Sequence, residues 1–169
     1  MMRRLGDRVA RWGLFGLLVG CGIALGSQEG AAQDVPSFES CTFESCALRV
    51  RMSVFGGQAV IRGSDGTKVQ GVGFFVGNMD DTFAGVPVAQ ELAATFRSRH
   101  NTGTTFMAIG GVSLIVGSLG AADGLATDGD AVLALGGFVG LMIGAFIAGS
   151  GRDALNEAVW EYNRALATR

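Results

Sequence analysis

Residues 104–149 read TTFMAIGGVSLIVGSLGAA (104–122), DGLATDGD (123–130) and AVLALGGFVGLMIGAFIAG (131–149). The first and third pieces have nineteen residues each and no charge, while the piece between them holds Asp123, Asp128 and Asp130. At a helical rise of about 1.5 Å per residue each apolar piece reaches roughly 28 Å, close to the thickness of a bilayer's hydrocarbon core. The stretch predicts a two-helix hairpin in a membrane, with an acidic turn at its tip.

Small residues inside the hairpin are ordered. Gly103, Gly110, Gly117 and Gly124 recur every seven residues, and Gly136, Gly140, Gly144 and Ala148 every four. Each set lines one helix face and removes bulk, so that another backbone can approach, either within the hairpin or between copies. Glycine-rich apolar sequence also produces GxxxG by chance. Two independent periodic sets favour a packing seam.

The chain ahead of the hairpin begins like an export signal. Arg3, Arg4, Arg8 and Arg11 precede an apolar body (12–26) and the small-residue exit Gly30-Ala31-Ala32, so cleavage is expected after Ala32. Within the body, Leu18-Val19-Gly20-Cys21 resembles a lipobox, which would make Cys21 a lipidated first residue. The apolar run continues past Cys21 through Leu25, which favours ordinary cleavage. Either outcome places residues 33–102 outside the cytoplasm. Beyond the leader there are nine Lys and Arg against thirteen Asp and Glu, a net −4 with a single Lys, which argues against a nucleic-acid partner.

Residues 33–102 are the part that can form a water-soluble unit. They open with a duplication, Phe38-Glu39-Ser40-Cys41 and Phe43-Glu44-Ser45-Cys46, whose cysteines are expected to form a structural disulfide in an oxidising compartment. A redox pair would normally show a two-residue spacing at a helix start. Leu48, Val50, Met52 and Val54 alternate with Arg49, Arg51 and Ser53, as a half-buried strand requires. Gly56-Gly57 and Gly63-Ser64-Asp65-Gly66 are turns, separating a second strand at 59–62 and a third at 67–76. This meander needs a cover, and a helix starting at Pro87 and ending near His100, with Val88, Leu92 and Phe96 in its apolar stripe, is expected either to cover the sheet or to lie on the membrane. Arg97, Arg99 and His100 end that helix, where cations suit its C-terminal dipole and lipid headgroups alike. Asp80 and Asp81 read as a solvated loop pair, and with His100 the sole histidine no metal, cofactor or catalytic site is expected.

Gly149-Ser150-Gly151 reads as a break after the hairpin, and Ser150 with Asp153 as a capping box launching a final amphipathic helix (151–169). Leu155, Ala158, Val159, Tyr162 and Leu166 share one side of it. Trp160 and Tyr162 suit either a membrane interface or packing on the exported unit. Topology carries a tension. The leader sends the hairpin in from outside, but arginines flank the hairpin and none lies in its turn, which the positive-inside rule alone would invert. The export signal is taken to dominate, and residence in the outer rather than the inner membrane would ease the conflict.

The expected architecture is thus an α+β membrane protein: a small antiparallel meander and helix, a glycine-rich transmembrane hairpin, and a C-terminal amphipathic helix. With its ending Ala158-Val159-Trp160-Glu161-Tyr162-Asn163, this layout resembles small bacterial envelope proteins that close on an Ala-Val-x-x-Tyr-Asn signature. The four-residue glycine spacing is also similar to glycine-zipper outer-membrane lipoproteins. Neither resemblance implies a reaction. The expected role is a structural or interaction protein of the cell envelope, held in membrane lipid, associating with copies of itself through glycine-lined faces and meeting an envelope partner. The alternative is an oligomeric pore, poorly served by the few polar atoms of Thr104, Thr105, Ser113 and Ser118. An enzyme ranks last.

Overall fold

The structure, a computed structural model, describes residues 38–52, 58–122 and 127–169. The leader with Cys21 and the cleavage point, Val54 of the first strand, and Gly124 of the hairpin turn lie outside the described residues. The elements run from a 3-10 turn (Phe38–Ser40) and a short helix α1 (Phe43–Cys46) through strands β1 (Leu48–Met52), β2 (Gln58–Arg62) and β3 (Thr67–Val72) to two long helices, α2 (Pro87–Ala122) and α3 (Asp128–Ala167). The class is α+β, with a three-stranded antiparallel sheet in the order β1-β2-β3.

Each strand forms for the reason its alternation suggests, and each stops where burial runs out. Leu48 is fully buried, Val50 half-buried and Met52 exposed, so the inward face of β1 fades along its length. β3 ends at Val72, short of the expected 76, because Gly73 and two exposed phenylalanines follow. The β2–β3 turn needs glycine at both ends: Gly63 and Gly66 have φ of +70° and +72°. Within it the Thr67 hydroxyl and amide donate to Asp65, holding its carboxyl below the usual range.

The sheet and the loop after it lie on the lower parts of α2 and α3. Leu48, Val60, Val72, Met79 and Phe83 pack with Ala89, Ala93 and Phe96 of α2 and with Leu155, Ala158 and Tyr162 of α3. Fully burying a side chain the size of Leu48, Phe83, Phe96 or Leu155 contributes about 1.5–3 kcal/mol. Two asparagines fasten sheet to helix. The Asn163 amide accepts from Leu48 N–H and donates to Leu48 C=O, both at 2.8 Å. Asn101 does the same for Val76, at 2.8 and 3.0 Å. Each amide stands in for the strand partner that an edge residue lacks.

Two expected breaks are absent. The helix that starts at Pro87 does not end near His100; it continues through Asn101-Thr102-Gly103 to Ala122, 36 residues in all. The Ser150–Asp153 capping box is likewise not formed, because α3 runs unbroken for 40 residues through Gly149-Ser150-Gly151. There the Ser150 hydroxyl donates to Ile147 C=O (2.8 Å) inside the helix, and Arg99 of α2 donates to Ser150 C=O (3.4 Å). α3 is instead capped by a box at Thr127 and Asp130, where it begins. Continuity has a cause. Ala89, Phe96, Gly103, Gly110 and Gly117 are all buried, at seven-residue steps, and on α3 so are Gly137, Gly144, Gly151 and Ala158. One 3.5-residue seam of the coiled-coil kind therefore joins the two helices through both the sheet-covered part and the hairpin.

Candidate functional site

The hairpin half of this helix pair is where the chain departs from an ordinary soluble fold, in two ways. The first is how close the helices come. A Cβ placed on Gly103 would sit 2.5 Å from Gly144 O and Ala148 N; on Gly110, 2.6 Å from Gly137 O and Leu141 N; on Gly117, 2.5 Å from Asp130 O and Ala134 N. On the facing helix, a Cβ at Gly144 would lie 2.5 Å from Gly103 O, and one at Gly137 would run into Leu114 N. These are backbone atoms, which cannot swing aside as a side chain would. At this separation the glycines are obligatory and leave no room for water between the helices.

The expected four-residue set is therefore corrected in part. Gly144 and Ala148 lie in the contact and Gly140 sits 3.3 Å (Cβ) from Gly110 Cα, but Gly136 has nothing within 4 Å of its Cβ position. Gly137 takes its place. A straight four-residue count drifts across the helix surface, whereas the partner's seven-residue glycines stay in register with 137, 144 and 151. The glycine pattern of α2 gives the period of the seam but not which residue of α3 faces it.

The second departure is the outer surface. Around the seam stand Phe106, Ile109, Val112, Ile115 and Leu119 of α2 and Val132, Leu135, Phe138, Met142 and Phe146 of α3, every one exposed, with Phe146 reaching 79%. Both helices are long and apolar enough to cross a membrane, and their most apolar windows are only 22% and 17% buried. The core helix of a soluble domain with the same composition would be mostly buried. The belt ends at Arg97, Arg99 and Arg152 on the sheet side and at Asp128 and Asp130 on the other.

Cys41 and Cys46 are joined by a disulfide with a Cα–Cα separation of 5.6 Å, which pins the 3-10 turn to α1. Asp80 and Asp81 lie in the exposed turn before α2, while His100 Nε2 donates to Gly73 C=O (3.1 Å). Among the described residues no group of three or more His, Cys, Asp or Glu could hold a metal ion. An open depression of about 440 Å³ between α1, β1 and α3 is lined by Phe43, Glu44, Leu48, Arg49, Ser64 and Asn163.

The closing signature also has a structural meaning. Ala158, Val159 and Tyr162 are buried and Asn163 holds Leu48, while Trp160 is exposed under the Arg164 guanidinium (4.7 Å). The packing reading for this helix is realised at Tyr162, whose ring Phe38 and Phe83 meet edge-on, at 5.4 and 6.0 Å between centroids. Sequence reasoning missed both asparagine clamps; the signal was an amide one turn away from a run of buried positions. Comparison with protein families, curated proteins and solved structures returns no match.

Proposed function

We propose that this chain is a membrane-anchored structural or interaction protein of the bacterial cell envelope, with the hairpin as its anchor and the sheet-bearing part presented outside the cytoplasm to a partner. The observation that carries the proposal is the bare apolar belt around residues 106–146. Keeping that many half-exposed large side chains in water costs on the order of 10 kcal/mol, as much as a whole domain's stability. Lipid removes the cost, and a charge-free helix pair with all its backbone groups bonded internally is suited to lipid.

The geometry sharpens two parts of the proposal. Gly103, Gly110, Gly117, Gly137 and Gly144 are occupied within the chain, so a second copy would meet the outward face, where Gly136 is open. A pore would need several hairpins, since the seam of one admits no water. The test is a paired substitution. Ile109→Lys with Leu135→Lys should shift the protein out of the membrane pellet, whereas Glu157→Lys on the domain leaves it there. Equal retention of both would refute the anchor. For self-association, Gly136→Leu should weaken oligomers in a detergent gel without unfolding the chain, and unchanged assembly would count against that face.

A further inference from the structure

The turn after β3 is the least expected piece of the sheet. Gly73-Phe74-Phe75-Val76 carries two phenylalanines that are 50% and 48% exposed and touch each other edge to face, 5.2 Å between centroids. Its height along α2 is set by a ladder of contacts. Asp80 C=O accepts from Gln90, Asn78 Oδ1 from Arg97, Gly73 C=O from His100, and Val76 is held at both backbone atoms by Asn101. Followed backwards from Asp80, the chain climbs α2 to Asn101 at Val76 and is held at His100 by Gly73, so Phe74 and Phe75 lie between two anchors at this height. Asn101 lies five residues, or roughly 8 Å, before Phe106 opens the apolar belt. The far end of β1 reaches the same height: exposed Met52 borders Arg152, and neighbouring Gly151 faces Phe96 and Arg99.

Positive charge gathers at this height, although arginines are found at the opposite end as well. Arg97, Arg99 and Arg152 stand at this height, and the Lys68 amine reaches up to Gly71, within 3.1 Å of its Cβ position. None of them is in an ion pair; the ion pair among the described residues joins Glu161 and Arg164. Asp153 is the acid closest to this level, while Glu44, Asp65, Asp80 and Glu91 lie toward the opposite end.

We propose that the hairpin-side end of the sheet domain is a lipid-docking face, in which Phe74 and Phe75 enter the headgroup–acyl boundary and Arg97, Arg99 and Arg152 take lipid phosphates. The proposal rests on the hairpin's residence in a membrane. Given that residence, the bilayer surface meets the domain at this height. Apolar rings belong about 5–10 Å into that boundary, and arginines beside them meet anionic headgroups. The occupant is lipid rather than a second chain because the patch stands just before the belt, where the bilayer surface falls, and because three exposed or half-exposed arginines outnumber the one acid, Asp153, at this level.

The test uses the full chain with one tryptophan. In Trp12→Phe/Trp160→Phe protein, Phe75→Trp or, separately, Phe138→Trp is reconstituted into vesicles of phosphatidylcholine with a minority of phosphatidylglycerol. Lipid brominated near the headgroup end of its acyl chains should quench the Phe75→Trp probe about twofold or more, and aqueous iodide should quench it little. Adding Arg97→Gln, Arg99→Gln and Arg152→Gln should return it toward iodide. Quenching of the Phe138→Trp protein by lipid but of the Phe75→Trp protein only by iodide would overturn the docking face and leave the anchor standing. A Phe75→Trp probe shielded from both quenchers would assign the patch to a second copy and overturn it as well. If neither protein is quenched by lipid, the anchor fails and the docking face with it.

Discussion

Adding one methyl group at Gly110 tests the seam at its middle. The new Cβ would lie 2.6 Å from Gly137 O and from Leu141 N, against the 3.4 Å at which ordinary contact begins, so the helices must part by about 0.8 Å. Parting is not local. Rigid helices that open at Gly110 also lose contact at Gly103 and Gly117, seven residues to either side. Overpacking of this kind costs about 1–3 kcal/mol, a factor of roughly 5–150 in the folding equilibrium. Gly136→Ala is the matched control, since its methyl meets nothing within 4 Å, and better helix propensity makes it neutral or slightly stabilising. Unfolding in a mixed-micelle SDS titration, followed by far-UV circular dichroism, would measure both. Gly110→Ala combined with Gly137→Ala should cost less than the two separate losses together, because one opening accommodates both methyls. Equal stability of Gly110→Ala and Gly136→Ala would refute the reasoning, and additive losses would refute the shared opening.

Four further outcomes follow from the domain. Asn163→Ala strands Leu48 N–H and C=O and should cost about 1–3 kcal/mol, with hydrogen exchange at the Leu48 amide accelerating before that of Val76; Asn101→Ala should reverse that order. Tyr162 is the sole tyrosine, so absorbance near 295 nm reports it alone. Burial raises its phenol against the opposing pull of Arg62 and Arg169, so the folded state holds the proton longer than the unfolded chain. Stability is then full below a pH of about 10 and falls as pH climbs from there toward the raised value, a loss that Tyr162→Phe should remove from an alkaline melt. Opening the five-residue Cys41–Cys46 separation with Cys→Ser at both positions should cost about 2 kcal/mol in a thermal melt, with the hairpin's helical signal retained.

Much of this was readable in the residues, and what was missed has a common physical source. Leu48, Val50 and the glycine turn at 63–66 announced the meander, and the charge-free pieces announced the hairpin. The helix ends at His100 and Ser150 were misjudged because arginine-rich ends and Gly-Ser-Gly runs stop helices whose flanks are in water. Here Gly151 is buried inside an unbroken helix against Phe96 and Arg99, where a Cβ would make ordinary contact at 3.4 Å, and it makes no turn. The choice between Gly136 and Gly137 depends on which helix lies opposite, and that is a tertiary fact. Arg62 shows the same limit: it reads as the polar end of β2, yet it is 7% exposed, with Nη2 donating to Thr82 C=O at 3.4 Å. Nothing in its local sequence marks it as an inward residue.

The most direct measurement is made without detergent. Membranes from cells producing the full chain are washed at alkaline pH, and the soluble fraction is examined by analytical ultracentrifugation. The protein is expected to stay wholly in the pellet and to be released only by detergent. A detergent-free, monodisperse monomer in the soluble fraction would show that residues 106–146 are covered by protein rather than lipid, and would contradict the anchor.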